Sequence, residues 1–267
     1  MKQTLKTFAI IATAATLAWS CGKDSSPNLF SVNNDIALGQ QTDSTIQNTP
    51  SEFPILPRAQ YASAYDFLED MRDSILESTD IIYRDRFAWK VTIINDDNVL
   101  NAFATPGGYI YIYTGLMKFL EHENELAGVL GHEIAHADRR HSTDQLTRDK
   151  GLSFLLQLIL GKQSQSELAS FATGLVGLKF GRNAEAEADE YSVRYLCPTS
   201  YSADGASGFF EKLIANGQAG GTPEFLSTHP DPSNRVEDIK TQKTQLSCTG
   251  NKQYSERYQA FLATLPQ

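Results

Sequence analysis

Three cysteines in 267 residues are too few for a disulfide-stapled scaffold or a cysteine-rich zinc module. No run approaches the roughly 20 apolar residues that cross a bilayer. The two apolar helical stretches, 154–160 and 168–180, fall well short and read as buried helices or as a hydrophobic surface. Basic runs are absent, and 23 Lys and Arg against 32 Asp and Glu leave a net charge of −9. A nucleic-acid partner would need the opposite electrostatic footprint, so none is expected. There is no internal repeat. What is present is a globular composition, 41% hydrophobic and 10% aromatic. That excludes a disordered chain and, at this length, suggests one or two domains. Histidine is also sparse, yet three of the five histidines, His132, His136 and His141, stand close together.

The N-terminus reads as an address. Lys2 and Lys6 precede a short apolar stretch, 8–19, and then small residues, the pattern of a secretory signal. Ser20-Cys21-Gly22 resembles a bacterial lipoprotein signal, in which Cys21 is lipidated and becomes the mature N-terminus, although Ala18 stands where such signals usually carry Leu. The alternative is an ordinary exported protein with a free Cys21. The expected organisation is a signal peptide over 1–20, a flexible polar tether over 21–52 and a folded domain over 53–267. The tether is Ser, Asn, Gln and Thr-rich and buries too little to offset its ordering entropy. In an oxidising envelope Cys197 and Cys248 are placed to form a disulfide; two buried thiols are the alternative.

Within the domain, 61–78 has helical spacing, 87–94 alternates as a strand, and 101–113 reads as a hairpin turned at Pro106-Gly107-Gly108. Helices are expected at 123–141, within 143–160, and at 166–180, 184–196, 204–216, 232–245 and 255–262, with Asp231 and Pro232 as a cap and first-turn pair. The fold class is therefore α+β, mostly α: a helical domain with a small antiparallel sheet beside the helix of the candidate site.

The chemistry sits in His132-Glu133-Ile134-Ala135-His136. Residues four apart on a helix differ by only about 40° in azimuth, so both imidazoles can share one Zn²⁺ ion. Glu133 is too close in the motif to ligate from the same face and is instead placed to take a proton from water. Leu126, Val129 and Leu130 give this helix a buried stripe. A catalytic zinc needs a third protein ligand and an open fourth position. Glu185 is the best candidate, with Asp189 one turn on to accept a hydrogen bond from a ligand imidazole. Glu187 should point elsewhere. The alternative for 182–189 is an acidic solvated helix.

Four segments carry a resemblance: Gly131-His132-Glu133-Ile134-Ala135-His136 with Arg140-His141, then Arg182-x-x-Glu185-x-x-Ala188-Asp189, then Ser227-Thr228-His229-Pro230, and upstream Asn101-Ala102-Phe103-Ala104-x-Pro106-Gly107-Gly108. In this order they resemble the HtpX, CAAX prenyl protease and Oma type of gluzincin metallopeptidase, peptidase family M48. The resemblance implies a gluzincin-like helical domain, His132, His136 and Glu185 as zinc ligands, and Glu133 as catalytic base. It brings His229 near the metal, as a donor to the oxyanion or as a group that lies over the zinc and restrains activity. It makes the strand opening at Asn101 and Ala102 a substrate-binding edge. Many relatives have membrane-spanning helices and this chain has none, so it looks like an exported branch of the family. Tyr109, Tyr111 and Tyr113 read as core, His122 and His141 as structural or surface residues, and Arg235 as a substrate contact or a salt bridge. The expected function is a zinc endopeptidase acting on polypeptides of the bacterial cell envelope, tied to the membrane by the lipid on Cys21. A zinc-binding envelope chaperone or assembly factor is the alternative.

Overall fold

The computed structural model describes residues 28, 30–151, 153, 157, 160, 164–217, 224–230 and 234–266. Three strands, β1 (Lys90–Ile94), β2 (Ala102–Thr105) and β3 (Tyr109–Tyr113), form one sheet in the order β1-β3-β2. The hairpin of β2 and β3 is antiparallel, with Ala102 opposite Ile112 and Thr105 opposite Tyr109, and Gly107 and Gly108 at φ 77° and 83° make its turn. β1 pairs with β3 in parallel, so the sheet is mixed where an antiparallel one was expected. The hairpin folds back so that β3, not β2, lies against β1, and two reversals restore the direction of β1. Alternation sorts the side chains between two layers. Val91, Ile93, Ala102, Ala104, Ile110 and Ile112 join the main core, while Ile94, Phe103, Tyr109, Tyr111 and Tyr113 face a second apolar cluster with Ile46 and Phe53.

The helices are α1 (Val32–Gln47), α2 (Ala62–Leu76), α3 (Thr114–Phe119), α4 (Glu123–Asp138), α5 (His141–Lys150), α6 (Gln165–Val176), α7 (Arg182–Leu196), α8 (Gly205–Gly217), α9 (Glu224–Thr228), α10 (Arg235–Gln245) and α11 (Ser255–Leu262). The helix expected within 143–160 is described only as α5, and the cap read at Asp231 lies outside the described residues. No helix of the described residues is long and apolar enough to cross a membrane.

Every residue of α4 is buried. Its start is closed by Glu125, whose Oε2 accepts from the backbone N–H groups of Glu121 at 2.8 Å and His122 at 3.1 Å, relieving donors that a helix start leaves open. Leu126, Val129, Leu130 and Ile134 are fully covered, worth roughly 1.5–3 kcal/mol each relative to exposure. Glycine sets how closely its neighbours approach. A Cβ on Gly128 would lie 2.1 Å from Ala206 N, and one on Gly131 would lie 2.9 Å from Ser192 Oγ. α8 and α7 therefore cross α4 near backbone contact, and Ser192 Oγ donates to Gly128 O at 2.9 Å. This closeness lets carboxylates on α7 reach the histidines of α4.

The polar stretch expected as a tether over 21–52 is helical over Val32–Gln47. Ser31 and Asn34 form a capping box, with each side chain accepting from the other's backbone N–H. Asp35, Leu38, Gly39, Thr42, Thr45 and Ile46 form the buried face of α1. Thr42 donates to Leu38 O at 2.8 Å and Thr45 to Gln41 O at 2.9 Å, while Asp43 accepts from Lys90 Nζ at 2.8 Å and Tyr111 OH at 2.8 Å. With these partners a polar stripe packs over the tyrosine face of the sheet. Residues 1–27, the signal and Cys21 among them, lie outside the described residues.

Cys197, at the end of α7, is bonded to Cys248, just after α10, across a separation of 51 residues. The loop-entropy model gives such a crosslink on the order of 4 kcal/mol.

Candidate metal centre

Helical spacing places the Nε2 atoms of His132 and His136 3.0 Å apart on α4. From α7, Glu185 Oε2 lies 3.6 Å from His132 Nε2 and Oε1 lies 3.5 Å from His136 Nε2. His229, directly after α9, brings Nδ1 to 3.1 Å from Glu185 Oε1 and 3.4 Å from His132 Nε2. Donor atoms from all four lie within 4.8 Å of one another, and all four residues are buried. Ligand distances of 2.0–2.1 Å put the corners of a tetrahedral zinc site about 3.3 Å apart. The observed separations scatter around that value, and imidazole with carboxylate is a donor set that zinc accepts. The residues therefore fit a single divalent ion.

Each part of this cluster is held from behind. Asp189 Oδ1 lies 2.9 Å from His132 Nδ1, which leaves His132 Nε2 to face the centre. Arg235, from α10, grips both oxygens of Asp189 at 2.6 Å and pairs with Glu185 Oε2 at 2.8 Å. Its guanidinium lies over the Phe210 ring at 4.1 Å. Arg235 is thus a buried bridge between two carboxylates. Phe180 stacks on His136 at 4.1 Å and Phe225 on His229 at 4.2 Å.

The electrostatics divide the carboxylates. For Glu185, burial raises the pKa, but His229, His132 and His136 outweigh it and hold the group well below its ordinary value. Burial likewise opposes ionisation of Asp189, and Arg235 and His132 reverse it to a net lowering. Glu133 goes the other way. It is wholly buried and neither carboxylate oxygen has a hydrogen-bond partner; His229 Nε2 lies 3.6 Å from its Oε1. Burial pushes its carboxyl up, against weaker pulls from His229 and His132. A carboxyl of this kind has a raised affinity for a proton.

β2 packs against α4 as the edge strand. Tyr113 N donates to Asn101 O, so Asn101, Phe103 and Thr105 turn their backbone groups to β3, and Leu100, Ala102 and Ala104 turn theirs outward. The outward Leu100 O accepts from Phe225 N at 3.1 Å, and Ala104 O from Ser142 Oγ at 3.5 Å. Asn101 is wholly buried and both atoms of its side-chain amide lack a partner. A cavity of about 390 Å³ opens behind Glu185, Asp189 and Arg235, but neither Glu133 nor β2 borders it.

The structure therefore brings His132, His136, Glu185, His229, Glu133 and Asp189 together, with Ala102 opening the neighbouring strand and Asn101 directly before it. His229 joins the cluster as a fourth donor, near the metal site as the resemblance implied. Glu187 does point away from the centre. Sequence reasoning missed the partners of His136, namely Phe180 and His141, whose Nδ1 lies 2.9 Å from His136 Nδ1. The pairing Arg140-His141 was visible, but nothing local shows that the chain turns there.

Residues 68–243 match the profile of Peptidase family M48. The chain is 34% identical over 151 residues to the mitochondrial metalloendopeptidase OMA1 of Arabidopsis thaliana, covering 55% of this chain and 30% of that protein. It is 31% identical over 158 residues to the metalloprotease YcaL of Escherichia coli, covering 57% of this chain and 60% of that protein. It is 29% identical over 167 residues to the beta-barrel assembly-enhancing protease of Yersinia pestis, covering 58% and 34%. The matched stretch thus spans between about a third and three fifths of the length of these relatives.

Proposed function

The chain belongs to Peptidase family M48, and on that premise we propose that it is a zinc-dependent endopeptidase that hydrolyses peptide bonds of proteins in the bacterial cell envelope. The observation that carries this reading is the convergence of His132, His136 and Glu185 at tetrahedral spacing beside the unpartnered, buried carboxylate of Glu133. These three residues would hold the ion. Bound there, zinc supplies a Lewis acid that polarises a carbonyl and makes water a better nucleophile near neutral pH.

The remaining work falls to the chain's own groups. Glu133 takes a proton from the attacking water at its carboxylate and passes it to the leaving amine. Its raised pKa suits the interval between those two transfers. Arg235 and Asp189 keep Glu185 and His132 in place. Once Phe225 N has released Leu100 O, a substrate peptide adds as a strand along β2, held by outward backbone groups at Ala102 beside the unpartnered amide of Asn101, with little demand on its sequence. The envelope assignment rests on the signal pattern that ends at Cys21, where a lipid would anchor the chain, and is in keeping with a Cys197–Cys248 disulfide. One relative is named for enhancing the assembly of β-barrels, and quality control of misassembled envelope proteins is the corresponding role here.

His229 favours a second element of this reading. Four donors close a zinc site, and a catalytic site keeps one position open. His229 then restrains the enzyme until it withdraws, and Phe225 N would release Leu100 O in the same movement. If withdrawal is not required in the cell, the same features suit a zinc-binding assembly factor whose proteolysis is dispensable.

The test compares wild type with Glu133→Gln for zinc content and for cleavage of unfolded casein. Both should hold one zinc, and the variant should lose at least about a hundredfold in rate. Equal cleavage would overturn the endopeptidase reading. Absence of cleavage by both, with both rescuing a deletion strain, would favour the assembly factor.

A further inference from the structure

We propose that His141, backed by Glu187, is a positioning residue that fixes the ring of His136 toward the metal centre, doing for His136 through an intermediate imidazole what Asp189 does for His132 directly. The proposal rests on the reading of His132, His136 and Glu185 as ligands.

The two histidines of α4 are supported unequally. His132 Nδ1 faces a carboxylate oxygen at 2.9 Å. His136 Nδ1 faces another imidazole nitrogen, Nδ1 of His141, at 2.9 Å. At that separation one nitrogen donates and the other accepts. His136 Nε2 is turned to the centre, 3.0 Å from His132 Nε2, so the His136 proton belongs on Nδ1. His141 Nδ1 then accepts, which places the proton of His141 on Nε2. That atom faces Glu187 Oε2 at 3.4 Å. Every group in the series from Glu187 to His141 to His136 has one role, and the tautomers follow from the geometry.

The surroundings hold this arrangement. The rings of His136 and His141 meet at 77°, and Phe180 lies flat on His136, so His136 cannot swing without losing a stacked neighbour. His141 is buried, with its side chain 6% exposed. Glu187 is at the rim, but its other oxygen accepts from Arg139 Nε at 2.9 Å, and Arg139 lies over the Tyr191 ring. One helix, α7, therefore directs Glu185 to the centre, Asp189 to one histidine and Glu187 to the support of the other.

The backbone is built for this placement. On an uninterrupted helix residue 141 would stand about 140° from His136 and face away. Arg140 instead adopts the left-handed conformation, φ 63° and ψ 31°, and α5 starts at His141 on a new axis, with its ring against His136. Arg140 is a poor residue for that conformation. It is tied there by Asp35 of α1 and by Phe30 O.

The experiment measures zinc affinity by competition with a chelator, the visible spectrum of the cobalt-substituted protein and the melting temperature of the metal-free protein. Four proteins are compared: wild type, His141→Phe, His141→Asn and Glu187→Leu. His141→Phe keeps a ring in place but offers no acceptor. It should melt within a few degrees of wild type, bind zinc about 10–100-fold more weakly and shift the cobalt bands. His141→Asn, whose amide oxygen can replace the Nδ1 acceptor, should recover most of the affinity and the spectrum. Zinc affinity and cobalt bands of His141→Phe equal to wild type would overturn the proposal. If His141→Phe does not fold, Glu187→Leu decides: about a several-fold weaker affinity is expected, and unchanged affinity and spectrum overturn it. A wild-type chain that takes up no zinc would overturn the metal centre itself and this proposal with it.

Discussion

Three of the four clustered donors stand on long helices packed against each other, and the fourth follows a short one. His132 and His136 belong to the 16-residue α4, and Glu185 to the 15-residue α7. These helices meet at Gly131 and Ser192, whose Oγ also donates to Gly128 O. His229 follows the five-residue α9. That segment is tied by Phe225 N to Leu100 O at 3.1 Å and by Phe180 N to Thr228 O at 3.1 Å. Moving a ligand of the first kind means repacking a core. Moving His229 with α9 means breaking a few hydrogen bonds and lifting one core side chain, Phe225, off Phe209 and Phe210. On the proposed reading, the contrast lets one cluster combine a three-donor seat on long helices with a fourth donor, on a short segment, that can withdraw.

Substitutions can break that contrast. Glu185→Ala should reduce zinc affinity on the order of a thousandfold, read by chelator competition, because a permanent donor is gone. His229→Ala should keep zinc and raise casein cleavage about tenfold or more, since four donors close a zinc site and three leave it open. A fall of about a hundredfold would instead mark His229 as a donor to the oxyanion. Gly128→Ala should cost about 2–3 kcal/mol in denaturant unfolding, because its Cβ would meet the backbone of Ala206. The smallest effect concerns acid. The pKa of Asp189 is lowered in the folded chain, so it stabilises the fold above its unfolded value of about 3.9 and loses that contribution as the pH falls through the folded value. Metal-free wild type should therefore lose stability below about pH 4 more steeply than metal-free Asp189→Asn.

Much of the site was legible because its logic is local. His132 with His136 and Glu185 with Asp189 are both spaced at i and i+4, and periodicity alone puts each pair on one face. The hairpin at Pro106-Gly107-Gly108 was equally local. What was hidden depends on contacts distant in sequence. α1 escaped because its buried stripe is mostly small or polar, Asp35, Gly39, Thr42 and Thr45, and only its partners, Arg140 among them, make that burial tolerable. The parallel pairing of β1 with β3 escaped because nothing in either strand states which edge the hairpin presents. His141 escaped because its direction is set by one left-handed residue, Arg140, that no periodic pattern anticipates.

X-ray absorption at the zinc edge of the loaded protein tests the metal centre most directly. Wild type should show four light ligands near 2.0–2.1 Å with three imidazoles among them, and His229→Ala two imidazoles with zinc retained. A protein that binds no zinc, or an imidazole count unchanged by His229→Ala, would contradict the picture of three fixed donors and one removable one.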